Sequence, residues 1–377
     1  MSPSFARREG GPSEVLRGLL PALSKRDVSW QVATTDKGAL ESDEDFASLS
    51  DVRVFSSRIL PSWTFSAGMV IPLREMISHA DIVHIHSIHT FPTTVTMLLC
   101  RIMRVPYVLE PHGALDRYHL GQRGWKKRIY TRTIDRFGLK RLAAVVYSSD
   151  REESDGRSFL PGVVSTRMTL GVAPNLLSLE AADRDQSMVL FLGRVTEKKR
   201  VDLLIRAMSH AAMPEHAELV IAGPVDTRLQ YDPQALAVEL GVGHRVRFLG
   251  QVDSAARASL LSRASVFVLA SEDESFGMAV AEALAVGCAV ACSKHVGIAH
   301  EAERAGGAVI IDLDPDDIAR KVARLLDDDH YRNKISQAGQ SLARRRFTWD
   351  EASTDAVSLY QSVLADSWPK RQGGTPR

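Results

Sequence analysis

Along this chain, short apolar runs alternate with longer amphipathic stretches, in two successive series. A strand covered on both faces reads as a continuous apolar run, and a helix packed over it carries a stripe of 3.6-residue period. The repeated alternation therefore predicts α/β architecture with parallel sheets wrapped by helices. In the first series strands are expected at Val28–Thr34, Val52–Phe55, Asp81–His86, Pro106–Glu110 and Ala143–Tyr147, with helices at Ser13–Ser24, Pro92–Met103 and Trp125–Leu139. In the second, strands are expected at Met188–Leu192, Ala217–Ala222, Arg245–Leu249, Ser265–Ala270, Cys288–Cys292 and Ala308–Asp312. Its helices are expected at Val201–Ala211, Ser254–Ser262, Gly277–Val286, Pro315–Leu326 and Tyr331–Arg344.

The length of 377 residues suits two such domains. Gly171, Pro174 and Asn175 punctuate a segment without periodicity at Thr169–Asp185, which sets the expected boundary. This gives a first domain over 1–170, a second over 171–349, and a tail over 367–377 that reads as disordered. A doubly wound domain normally opens on a strand, yet Gly10-Gly11 follows the start almost at once, so the first strand is expected to be missing.

Lysine and arginine number 47 against 46 aspartate and glutamate, so bulk charge does not favour a nucleic-acid partner. Cys100, Cys288 and Cys292 form neither a disulfide framework nor a zinc-finger spacing, and reduced thiols suit a cytoplasmic protein. Met1–Gly11 lacks the apolar core of a signal peptide, and the longest apolar candidate, Ala279–Cys292, is interrupted by Glu282. Membrane contact is therefore expected to be peripheral at most.

In open α/β sheets ligands gather at the carboxyl ends of strands. The loops there hold His86-Ser87, Glu110-Pro111-His112-Gly113, Gly193-Arg194, Gly223-Pro224 and Ser271–Gly277. Two sheets facing one another across a cleft would suit a two-substrate transfer. After Gly193, the cations Arg194, Lys198, Lys199 and Arg200 precede a helix, and arginine forks and lysine point charges suit a diphosphate. A solvated basic turn is the alternative. In the run from Ser271 to Ala283, Gly277 would let an anion approach free helix-start amides. Glu282, on an otherwise apolar helix, is costly to bury without a partner and could accept hydrogen bonds from ribose hydroxyls.

Gly193-Arg194 with Lys199, Ile221-Ala222-Gly223, Phe248-Leu249-Gly250 and Glu274-x7-Glu282 together resemble the retaining glycosyltransferase family 4, over nearly the whole chain. The resemblance implies the GT-B fold, two Rossmann-like doubly wound domains, with a last helix over 350–366 returning to the first. It implies that Arg194 and Lys199 bind the donor diphosphate, with Gly223 in the adjoining loop, and that Glu282 binds the ribose. It places Glu274, Phe276, Gly277 and Met278 beside the transferred sugar and phosphates. His112 and Glu274 are the catalytic candidates, and Gly11 lies in a glycine loop under the reaction centre. Arg200 stands where the family usually has glycine, and Ala222-Gly223-Pro224 is shorter than the common Gly-Asp-Gly-Pro form.

The expected reaction moves a hexose from a nucleotide-sugar, UDP- or GDP-linked, to a saccharide or lipid-linked saccharide, with retention and no covalent nucleophile. Cell-surface polysaccharide or lipopolysaccharide assembly is the expected setting. No metal or other cofactor is expected, because fixed cations and helix amides can stabilise a leaving diphosphate. Asp312-Leu313-Asp314 reads as a strand-end turn before a Pro315-led helix rather than a metal motif. His84 and His86 alternate on one strand with no acidic ligand beside them in sequence, so structural or acceptor-contact roles are expected. The basic residues of Arg123–Arg141, interleaved with Trp125, Ile129 and Tyr130, fit peripheral contact with an anionic membrane, or a plain solvated face. A GT-B sugar-nucleotide epimerase or hydrolase and a non-catalytic nucleotide-sugar binder are the competing readings. A nicotinamide oxidoreductase lacks its glycine turn here.

Overall fold

A computed structural model describes residues 1–7, 11–57, 60, 63–115, 130, 133, 135–179 and 183–365. The chain forms two compact units, Met1–Gly171 with Trp349–Arg377 and Val172–Thr348. Gly10, the tail 367–377 and most of the basic stretch Arg123–Arg141, including Trp125 and Ile129, lie outside the described residues.

The first unit contains α1 (Gly11–Ser24), β1 (Val32–Thr35), β2 (Val52–Phe55), α2 (Val70–Ser78), β3 (Val83–His86), α3 (Phe91–Met103), β4 (Tyr107–Glu110), β5 (Ala144–Tyr147), α4 (Asp150–Phe159) and β6 (Ser165–Arg167). All strand pairs are parallel, in a pair β1-β2 and a sheet β3-β4-β5-β6. No named strand precedes α1, but residues 1–4 run between the two groups. Ser2 N donates to Ala33 O (3.1 Å), and His86 N donates to Met1 O (2.9 Å). The position of an opening central strand is thus filled by an extended segment bonded to both sides.

The second unit contains β7 (Asp185–Leu192), α5 (Val201–Met208), β8 (Glu218–Ala222), α6 (Pro233–Glu239), β9 (Val246–Gly250), α7 (Ser254–Arg263), β10 (Ala264–Leu269), α8 (Met278–Ala285), β11 (Ala289–Ser293), α9 (Ala299–Arg304), β12 (Ala308–Ile311), α10 (Pro315–Asp327) and α11 (Asp329–Arg346). Its six parallel strands run in the order β12-β11-β10-β7-β8-β9. Numbered within the unit this is 3-2-1-4-5-6 read backwards, the doubly wound order, and the direction of winding reverses between β7 and β10. β10 and β11 are buried throughout, which is why they read as unbroken apolar runs. Asp314 caps α10, accepting from Asp317 N (3.0 Å), with Pro315 at the first helical position, so Asp312-Leu313-Asp314 is a helix-start turn.

The last helix, α12 (Trp349–Ala365), belongs to the first unit. Gly18 of α1 and Gly171 both press against Trp349, where an added Cβ would come within 1.9 and 2.4 Å of its atoms. Asp355 accepts a hydrogen bond from Thr169 N (3.1 Å). Among the described residues no helix is long and apolar enough to cross a membrane.

The periodicity did not point to α4. Its sequence, Asp150-Arg-Glu-Glu-Ser-Asp-Gly-Arg-Ser-Phe159, has no apolar stripe; the helix rests on its start instead. Ser149 accepts from Glu152 N (3.2 Å), and Asp150, Glu152 and Glu153 place negative charge at the positive end of the helix.

Candidate functional site

The loops that carry Gly193-Arg194, Gly223 and Ser271–Gly277 fall in the second unit, at the carboxyl ends of the central neighbours β7, β8 and β10. Gly193 follows β7 with φ +148°, and Gly223 follows β8 with φ +145°. A Cβ on Gly223 would lie 2.1 Å from Gly193 O, so these loops pass too closely for any side chain there. Arg194 is exposed at this edge, with no salt bridge among the described residues. Beside Gly223 is a cavity of about 420 Å³ whose walls include Val195, Ile221, Tyr231 and Phe248.

Lys199 ends a short turn of 3₁₀ helix, Glu197–Lys199, and Arg200 follows in the left-handed conformation at φ 47°, ψ 46°. That is a geometry glycine adopts without strain. Here the arginine is held by Asp202 (3.0 Å) and Glu272 (2.8 Å). Lys199 Nζ lies 2.5 Å from Glu274 Oε1, and Ser271 Oγ donates to the same oxygen at 3.2 Å. Burial raises the Glu274 pKa, but the charges of Lys199 and Lys198 outweigh it and hold the carboxyl below its ordinary value.

The Glu274 loop is braced by the segment after β11: Glu274 N donates to His295 O (3.1 Å) and Gly297 N to Glu274 O (2.9 Å). Gly277 caps α8 at φ +102°, and a Cβ there would come within 2.4 Å of Val296 Cγ1. Glycine is therefore demanded twice, by conformation and by space, and the half-buried Met278 opens the helix whose first amides lack intrahelical partners. Phe276 turns inward. It is 4% exposed and packs edge-on against Phe347 at 5.5 Å between centroids, so its side chain supports the loop from below.

Glu282, only 7% exposed, forms an ion pair with Arg257 of α7. This supplies the partner that a buried glutamate needs, and Arg257 carried no sequence signal because it lies in an ordinary polar helix. Gly11 is the first residue of α1 in the other unit, with open space where a side chain would project.

In the first unit a second polar cluster ends β3 and β4. His86 and Glu110 are register partners, and His84, two residues earlier, shares their face of the sheet. The sequence reading placed no acidic ligand near His84 and His86; the neighbouring strand supplies one, Glu110. Its Oε2 lies 3.3 Å from His84 Nε2 and 3.3 Å from His86 Nδ1, and its Oε1 lies 3.5 Å from His112 Nδ1. His86 Nδ1 and His112 Nε2 are 2.9 Å apart. His112 sits in the left-handed region at φ 52°, followed by Gly113 at φ +76°. Glu152 of α4 fixes this turn by accepting from Gly113 N (2.6 Å) and Ser148 N (2.8 Å). Burial lowers the pKa of His84, and that of His86 to about 3, so both rings are neutral near pH 7. For Glu110 burial acts in the raising direction, but the surrounding imidazoles, His112 foremost, hold it well below the ordinary range.

Comparison with known proteins agrees with this geometry. The family described as Glycosyl transferases group 1 matches residues 179–342, and the Glycosyl transferase 4-like domain matches residues 10–170. D-inositol 3-phosphate glycosyltransferase 1 of Catenulispora acidiphila is 30% identical over 331 residues, 80% of this chain and 75% of that protein. The chain belongs to the glycosyltransferases. An uncharacterized glycosyltransferase of Methanocaldococcus jannaschii, MJ1607, is 35% identical over 184 residues, 48% of this chain and 46% of its own length. The glycosyltransferase chain thus spans about half the length of several curated relatives it matches. Among solved structures, Anabaena HepE in complex with UDP superposes with a TM-score of 0.75 over 96% of this chain and 98% of HepE, at 18% identity. WaaG, a glycosyltransferase involved in lipopolysaccharide biosynthesis, gives 0.69 over 95% and 97%, at 16% identity. These likenesses establish the GT-B fold of two Rossmann-like domains.

Proposed function

We propose that the protein transfers a hexose from a UDP- or GDP-sugar to a saccharide or lipid-linked saccharide acceptor, with retention of anomeric configuration. The observation that carries this reading is the meeting of Lys199 and Glu274 at the reversal point of the second sheet, flanked by Arg194, Gly223, Gly277 and Glu282. Arg194, Lys199 and the first amides of α8 would hold the diphosphate and stabilise it as it leaves, with no metal ion required there. Glu282 would accept hydrogen bonds from the ribose. Glu274 would orient the sugar, and its contact with Lys199 would link sugar and phosphate positions. The acceptor attacks from the face the diphosphate leaves, without a covalent enzyme intermediate. His112 is assigned to the transfer step on family resemblance, as is Gly11 to the glycine loop.

HepE, which shares the fold, is known in complex with UDP and with UDP-glucose, which supports a uridine donor. WaaG, involved in lipopolysaccharide biosynthesis, supports a role in cell-surface polysaccharide or lipopolysaccharide assembly, and we place that role in the cytoplasm, at the inner face of a membrane. The basic residues of Arg123–Arg141 are consistent with peripheral attachment there. Co-sedimentation with anionic vesicles should weaken when Lys126, Lys127 and Arg128 are replaced by Glu; unchanged binding would remove this part of the reading.

The decisive experiment screens UDP-, GDP- and ADP-sugars for thermal stabilisation, then analyses product with and without acceptor. A donor at about 100 times its Kd should stabilise the native state by about 2.7 kcal/mol. Glu282→Ala should abolish that stabilisation and Arg194→Ala should weaken it. If neither variant changes it, or if the donor is consumed equally well without acceptor, the proposal fails.

A further inference from the structure

The cluster at the ends of β3 and β4 contains a buried carboxylate in a chemically odd setting. Glu110 is 1% exposed, yet neither of its oxygens has an aligned hydrogen-bond donor among the described residues. His84 Nε2, facing it, is likewise buried without an aligned partner. The imidazoles of His84 and His86 stand 3.3 Å from Glu110 Oε2, close enough to favour the ionised carboxylate, yet they leave its lone pairs without an aligned donor.

From this the geometry points to a binding site for one divalent transition-metal ion of the zinc class, formed by His84 Nε2, His86 Nδ1 and the Glu110 carboxylate. Nothing in the donor-binding reading requires this site. The ligand atoms of the three residues all lie within 4.8 Å of one another. In a tetrahedral zinc site with bonds of about 2.0–2.1 Å, neighbouring ligand atoms stand roughly 3.3 Å apart. The separations of Glu110 Oε2 from His84 Nε2 and His86 Nδ1 are both 3.3 Å. Two imidazoles and a carboxylate are also the donor set that suits zinc and its neighbours, and suits magnesium or calcium poorly.

The surroundings fit as well. Metal-bound histidines commonly have their second ring nitrogen hydrogen-bonded, and His84 Nδ1 lies 2.7 Å from the Tyr360 hydroxyl of α12. His112 stands outside that group of three but touches it, with its Nε2 2.9 Å from His86 Nδ1. An ion held here would draw on the contact between His86 and His112, so metal uptake and the placement of His112 are coupled.

The test uses the full chain without an affinity tag, stripped with a chelator and titrated with Co²⁺ alone. One equivalent should bind with the intense visible bands of a four-coordinate nitrogen and oxygen site, and one equivalent of Zn²⁺ should bleach them. His84→Gln, His86→Gln and Glu110→Gln should each lose the bands while keeping the far-ultraviolet dichroism of the wild type. Tyr360→Phe should weaken binding by about 10- to 100-fold. Absence of stoichiometric uptake by the wild type overturns the proposal without reference to any variant. So do bands that persist in folded Glu110→Gln or His86→Gln protein, since the ion would then be bound elsewhere.

Discussion

Lys199 and Glu274 meet where the winding of the second sheet reverses: Nζ of the first stands 2.5 Å from Oε1 of the second. They belong to the loops after β7 and β10, strands adjacent in the sheet and distant in sequence, so parallel pairing alone brings the charges together. Their side chains are 14% and 17% exposed, which makes the pair sheltered without being sealed.

Replacing Lys199 by Met should therefore cost stability in a pH-dependent way. Glu274 has a folded pKa below its ordinary value of 4.5, so the pair's contribution is present above that value and is lost as pH falls through the lower folded pKa. The variant should be destabilised by about 1–3 kcal/mol at pH 7, with the difference shrinking toward pH 3. Urea unfolding of both proteins at the two pH values measures it. An equal difference at both would mean that Lys199 acts through packing rather than charge.

Glu282 and Arg257 form the second sheltered pair, and here binding is the useful readout. Hydrogen bonds to charged groups contribute about 1.5–3 kcal/mol, so Glu282→Gln should raise the donor Kd by roughly 10- to 100-fold if the ribose is its ligand. Arg257→Ala, which removes the counter-ion but leaves the carboxylate itself in place, should raise it by less than about 10-fold. Calorimetric titration of each variant with the stabilising nucleotide-sugar decides between them. A larger effect from Arg257 than from Glu282 would make the arginine the direct contact.

The glycines give a structural control. At Gly277 a Cβ meets Val296 Cγ1 at 2.4 Å and the backbone is at φ +102°. Gly277→Ala should destabilise the second unit by about 1–3 kcal/mol. Pairing it with Val296→Ala should recover only the steric part, because the backbone penalty remains. Full recovery in the double variant, read from thermal melts, would show that the conformation is not strained for alanine.

How far the sequence revealed this arrangement depended on the kind of signal. Continuous apolar runs located β10 and β11 because both faces of those strands are covered. The glycines at 193, 223 and 277 were legible as members of loop motifs after strands; the positive φ that each adopts is a backbone detail those motifs did not spell out. Glu282 stood out as an acid on an apolar helix, and its counter-ion did not, since Arg257 is one arginine among many on polar helix faces. Glu110 was visible only as part of a loop motif: the pairing of β3 with β4 that sets it against His84 and His86 is a long-range register, which no local pattern encodes. Helix α4 was hidden for the opposite reason, being held by its capping serine and acidic first turn rather than by an apolar stripe.

A last prediction concerns a carboxyl outside these clusters. Asp135 is fully buried, and Thr94 Oγ1 donates to its Oδ1 at 2.8 Å, while Oδ2 has no aligned donor among the described residues. Burial raises its pKa from 3.8 to about 6, and the Thr94 bond only partly opposes this. An acid whose folded pKa is raised binds its proton more tightly in the native state. Its ionisation therefore lowers stability progressively as pH climbs from the unfolded value toward the folded one, and the loss levels off above about 6. Asp135→Asn keeps an oxygen for Thr94 and removes the charge. The variant should gain up to about 3 kcal/mol over wild type at pH 8, and much less at pH 4. Chemical denaturation at those two pH values is the measurement. A gain of the same size at both would show that the aspartate is not ionising inside the folded protein.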